Sequence, residues 1–102
     1  MESISKIVIL SDKEETGHIQ NLFSRAGMKV VVLDVKRDYT KELVDADLVL
    51  EDLSKDMKGK RKVLHECDKE APPKTILATT ASSGITELAS ATRRAQKFAG
   101  MN

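Results

Sequence analysis

Four short runs of aliphatic and β-branched residues punctuate the chain: Ile7-Val8-Ile9-Leu10, Val30-Val31-Val32-Leu33, Leu48-Val49-Leu50 and Thr75-Ile76-Leu77-Ala78. None of them alternates apolar with polar positions. Unbroken apolar runs between polar flanks are what a parallel sheet requires when helices cover both of its faces. Between the runs the apolar period becomes helical. Ile19, Leu22, Phe23 and Ala26 fall at i, i+3, i+4 and i+7, a stripe that stops at Gly27, a residue favoured just past a helix end. A weaker stripe through Met57, Leu64 and Cys67 must end before Pro72-Pro73, and Gly59 inside it costs about 1 kcal/mol relative to alanine. Ile85, Leu88, Ala89 and Thr92 mark a further helix after Ser82-Ser83. The piece from Tyr39 to Val44 has room for about two turns at most, and Lys97 to Met101 can start a fifth strand. Strands alternating with helices through right-handed crossovers predict an open parallel α/β sheet.

At 102 residues the chain builds one small core, so a single domain over 1–102 is expected. Lys and Arg number 17 against 16 Asp and Glu, leaving no long-range field toward nucleic acid or an anionic membrane. Cys67 is the lone cysteine, no apolar run approaches the roughly 20 residues of a membrane span, and the N-terminus lacks a signal-peptide stretch. A reducing, cytoplasmic setting is the expectation. With no Trp, one Tyr and two Phe, the core rests on Val, Ile, Leu and Ala.

In a dinucleotide-binding domain the first strand runs into a glycine-rich turn at a helix N-terminus, and an acidic residue ends strand two about 20 residues on. Asp34 stands in that acidic place. The stretch from Lys6-Ile7-Val8-Ile9-Leu10 through Ala26-Gly27 to Val30-Val31-Val32-Leu33-Asp34 resembles the opening of the L-3-hydroxyacyl-CoA dehydrogenases. Ala46-Asp47-Leu48-Val49-Leu50-Glu51 is similar to a strand of that family. So are Ile76-Leu77-Ala78-Thr79 with Ser82-Ser83 and Ile85-Thr86-Glu87-Leu88-Ala89, and Phe98-Ala99-Gly100-Met101 matches the run into the family's catalytic histidine. The resemblance implies a small three-layer Rossmann-like domain with helices on both faces and four to five parallel strands in the order 2-1-3-4. That order follows because the family's long helical excursion after strand two is replaced by Lys36 to Val44.

The departures from the family fall on its chemistry. Its three loop glycines correspond to Ser11, Lys13 and Thr16, where a Cβ obstructs the tight turn and the approach to a diphosphate. Asp12, Glu14 and Glu15 put negative charge in the same place, and Ser11 with Glu14 forms a capping-box pattern that lets the helix cap itself. A cofactor-contacting acid of the family corresponds to Lys55, whereas its companion lysine is kept as Lys60. The substrate serine corresponds to Ser82 and the catalytic histidine to Asn102, an amide that cannot act as the general base. The family's helical C-terminal domain is expected to be absent.

Simpler roles stand beside these. Asp34 reads as a ribose ligand or a solvated strand end, and Lys60 and Ser82 as inherited cofactor contacts or as a surface cation and a helix cap. Lys58-Gly59-Lys60-Arg61-Lys62 reads as a solvated helix face, His18 and His65 lack companions at metal-ligand spacing, and Cys67 fits a core. No metal, nucleic acid or membrane partner is expected, and no cofactor, with NAD the cofactor if the family's function persists. The expected function is a binding or assembly module, not catalytic by itself, forming a homodimer or joining a partner protein. The alternative is the NAD-binding part of a 3-hydroxyacyl-CoA dehydrogenase completed by a separate subunit. A third possibility is a cation or amine at the acidic loop.

Overall fold

A computed structural model describes residues 5–12, 21, 24–36, 38–54, 56–81, 84–94 and the backbone of 98–100. The described residues form a sheet of five strands: β1 (Lys6–Ser11), β2 (Lys29–Asp34), β3 (Leu48–Asp52), β4 (Ile76–Thr79) and β5 (Phe98–Gly100). Every neighbouring pair is parallel, and the order is β2-β1-β3-β4-β5. That is the order expected, with the fifth strand added beyond β4. β1 lies between β2 and β3 and is buried along its whole length, while β2 lies at an edge and its three valines are only half-buried.

The strand residues divide by the two-residue period of the sheet. Val8, Leu10, Val49 and Leu77 join one core with Tyr39 and with residues of α1 (Thr40–Leu43), α2 (Met57–Glu70) and α3 (Ile85–Ser90). Ile7, Ile9, Leu48, Leu50 and Ala78 form a second core on the other face, joined by Met28, Val30, Val32 and Ile76. Of the first apolar stripe, Ile19, Leu22 and Phe23 lie outside the described residues, and Ala26 is exposed. Gly27 takes φ +81° where that helix ends. α1 is one turn, and α3 stops at Ser90, short of Thr92, because Ala91 and Thr92 turn back to bond the carbonyls of Leu88 and Ala89. Gly84, at φ +73°, starts α3, with Met57 packed so close that an added Cβ would lie 2.3 Å from its methyl carbon.

The C-terminal end of α2 is closed from outside the helix. The Arg94 guanidinium donates to the Asp68 carboxylate at 2.6 Å, to the carbonyls of Asp68 and Ala71 at 2.8 and 3.2 Å, and to those of Pro72 and Thr75 at 2.6 and 2.9 Å. All five of its N–H groups are thereby used. Asp68 is itself buried and accepts a further bond from the Arg93 backbone N–H at 2.9 Å. Removing one member of a buried pair strands the other charge, so Arg94→Met is expected to lower unfolding free energy by about 3–5 kcal/mol, measured by urea denaturation.

Two carboxylates tie the frame together and titrate abnormally low. Burial alone would raise Asp68, but hydrogen bonds from Arg93 and Arg94 outweigh it. Asp47 is lowered by the backbone N–H groups of Lys6 and Ser5, each at 3.0 Å. Groups depressed in the folded state contribute stability that is complete above the unfolded value near 3.9 and is lost as pH falls through the folded value. Thermal melts are therefore expected to hold steady down to about pH 5 and to fall steeply below about pH 4, less steeply in Asp68→Asn.

Candidate functional site

In open parallel sheets ligands gather outside the carboxyl ends of the strands, where the order reverses on either side of β1, and backbone N–H groups of the loops there hold anions. Among the described residues, six amides after β2, β3 and β4 face the chain's own oxygens, while residues 13–20 of the segment after β1 lie outside the described residues. After β2, Asp34 Oδ1 accepts from Lys36 N at 2.9 Å and Asp38 Oδ1 from Thr40 N at 3.1 Å. After β3, Glu51 Oε2 accepts from Leu53 N at 2.7 Å and Asp12 Oδ1 from Ser54 N at 2.9 Å. Asp56 caps α2 through Gly59 N at 2.8 Å, and Thr79 Oγ1 accepts from Ala81 N at 3.0 Å. Five of these six acceptors are carboxylates. The Asp12 bond crosses the crevice between β1 and β3, joining residues 42 apart in sequence.

Glu51 sits at the centre of this edge with its side chain wholly buried. Besides Leu53 N it accepts from Lys60 Nζ at 2.7 Å and from Thr79 Oγ1 at 2.5 Å. Lys60 also donates to the Leu53 carbonyl at 2.7 Å, so the lysine expected to face a cofactor is held by β3 and the loop after it. Asp52, the next residue, is buried too and accepts from Thr80 Oγ1 at 3.0 Å. Asp34 is exposed at the end of β2, in the place expected of a strand-end carboxylate.

The capping partner Glu14 lies outside the described residues, as do Lys13, Thr16, Lys55, Ser82, Ser83 and Asn102. Ser11 ends β1 and is buried. Cys67 is buried, and that burial pushes its thiol up to about 12, which keeps it protonated and unreactive. Burial also raises the Tyr39 hydroxyl, with Cys67 and Glu66 adding to the effect. A cavity of about 330 Å³ opens beside Tyr39, bounded by Val35 and Asp38 on one side and by Gly59, Lys62, Val63 and Glu66 of α2 on the other. The described residues contain no cluster of His, Cys, Asp and Glu able to hold a metal ion, and no helix among them is long and apolar enough to cross a membrane.

Sequence reasoning missed the role of Glu51, although a glutamate closing an apolar strand nine residues before a lysine was a usable signal. It also missed the Asp12 to Ser54 bond, which joins distant segments and has no local signature. Removing the Glu51 carboxylate would leave Lys60 Nζ, Leu53 N and Thr79 Oγ1 without their acceptor. Glu51→Ala is expected to destabilise the fold by about 3–5 kcal/mol, read from the urea midpoint, with Glu51→Gln milder.

The family model and the relatives similar in sequence agree on one family. The family described as 3-hydroxyacyl-CoA dehydrogenase, NAD binding domain, matches residues 35–102. A 3-hydroxybutyryl-CoA dehydrogenase of Clostridioides difficile is 35% identical over 103 aligned positions, covering 98% of this chain and 37% of the relative. A probable 3-hydroxybutyryl-CoA dehydrogenase of Bacillus subtilis (strain 168) is 40% identical over 62 residues, 60% of this chain and 22% of the relative. The chain thus spans well under half the length of these relatives. Among solved structures, the (S)-3-hydroxybutyryl-CoA dehydrogenase of Ralstonia eutropha superposes with a TM-score of 0.79 at 23% identity, over 98% of this chain and 49% of that one. The dehydrogenase part of a multifunctional enzyme of C. elegans gives 0.84 at 16% identity, over 99% and 32%. At those identities the structures speak for the fold.

Proposed function

The chain belongs to the NAD-binding-domain family of the 3-hydroxyacyl-CoA dehydrogenases, and from that premise we propose that it is a member that no longer holds NAD and serves as a binding or assembly module. One observation carries the reading: among the described residues, six amides after β2, β3 and β4 bond oxygens of the chain itself, five of them carboxylates, so the carboxyl edge crowds negative charge where a dinucleotide would lie. A dinucleotide lying along that edge would meet those carboxylates as like charges, a cost in repulsion and desolvation. The sequence from Ser11 to Thr16 agrees, since it contains no glycine and carries three acids. Lys60, the cation best placed by family position to meet a cofactor, is engaged by Glu51. The residues present therefore do not suit the family's cofactor, and no chemical step is assigned to this chain.

Titration with NAD by calorimetry or chemical-shift mapping is the test. No saturation is expected below about 1 mM. Micromolar affinity would overturn this reading and favour a nucleotide-binding part of a 3-hydroxyacyl-CoA dehydrogenase, with the remaining catalytic groups supplied by a separate chain.

A further inference from the structure

Four exposed residues of α2 form one row at i, i+4, i+8 and i+12: Lys58, Lys62, Glu66 and Glu70, two positive followed by two negative. The row is unfavourable within its own helix. Neighbours four apart repel at both ends, Lys58 against Lys62 and Glu66 against Glu70. The cations sit toward the positive end of the helix dipole and the anions toward the negative end, so the arrangement also opposes the dipole. Lys60 and Arg61 of α2 are paired with Glu51 and Glu87, whereas Lys58, Lys62 and Glu70, like Lys69 beside the row, have no ion-pair partner among the described residues. Glu66 lines the cavity beside Tyr39.

We propose that this row is the self-association surface of the chain, with two copies meeting through antiparallel α2 helices about a two-fold axis level with residue 64. In that register Lys58 faces Glu70 of the second copy and Lys62 faces Glu66 of the second copy, and the symmetry repeats both pairs. Four complementary contacts replace two like-charge neighbours in each helix. Rows of i±4 residues are also the ridges that helices pack into one another's grooves. The cavity of about 330 Å³ runs alongside Lys62 and Glu66 and gives the neighbour's ridge concave ground. An isologous contact of this kind closes on itself and yields a dimer. The proposal rests on reading the chain as an assembly module and names the surface that does the assembling.

The test uses the full chain and light scattering across a concentration series. The parent is expected to dimerise more weakly as salt rises. Lys58→Glu with Lys62→Glu gives an all-acidic row, and Glu66→Lys with Glu70→Lys an all-basic one; each is expected to raise the dimer dissociation constant by about tenfold or more. Both variants place charge in the sense the helix dipole favours, but each turns the attracting Lys62 and Glu66 neighbours into like charges, so helix content is checked by circular dichroism and the fourfold variant, which restores that attraction, serves as the control. Mixing the two is expected to restore a heterodimer, and combining all four substitutions a homodimer. A parent that stays monomeric overturns this inference and leaves the binding reading to a heterologous partner. A dimer indifferent to the substitutions overturns the surface alone. Neither outcome bears on the NAD titration.

Discussion

A carboxylate can be removed from water only if every oxygen it buries finds a donor, and Glu51 meets that condition with three donors from three elements. Its backbone belongs to β3, its first donor to the loop that follows, its second to α2 and its third to β4. The start of α2 and the end of β4 are thereby fixed relative to one side chain. Thr79 extends the constraint by accepting from Ala81 N while it donates to Glu51, so the loop after β4 is held as well. The carboxyl edge of the sheet is organised from inside by a charge whose placement depends on all its neighbours.

The same principle recurs around that edge with exposed groups. Asp34, Asp38 and Asp56 each bond an amide two or three residues ahead, a local arrangement that short acidic side chains make readily. Asp12 differs in reaching across the crevice. A loop whose amides are satisfied by its own acids keeps its shape without a ligand, whereas an anion-binding loop leaves part of that work to the anion. The structural relatives share the fold at TM-scores of 0.79 and 0.84.

The sheet was legible from the four apolar runs because strands buried on both faces leave an unmistakable signature. The strand order followed from the family resemblance and the short segment after β2. Helix lengths were less legible: Ile85 and Thr92 sit at helical spacing, yet α3 ends at Ser90 because Thr92 Oγ1 bonds the Ala89 carbonyl at 2.8 Å and turns the chain. Asp68 and Arg94 look like surface residues on any hydropathy scale. Their burial is a property of the pair, and residues 26 apart offer no local hint of it. The acidic character of the first loop was visible directly, but which amide Asp12 would meet was not.

The register of β1 carries a consequence for how the chain comes into being. Its two partners arrive at different times: β2 begins 23 residues after β1, whereas β3 begins 42 residues after it. As the chain emerges from a ribosome, this strand, buried along its whole length in the finished fold, can be paired on one edge while the other must wait until residue 52 has been made. Parallel pairing across such distances incurs loop-closure entropy before any contact repays it. For that interval the apolar side chains of β1 form a nascent surface open to chaperones or to the same strand of a neighbouring nascent chain.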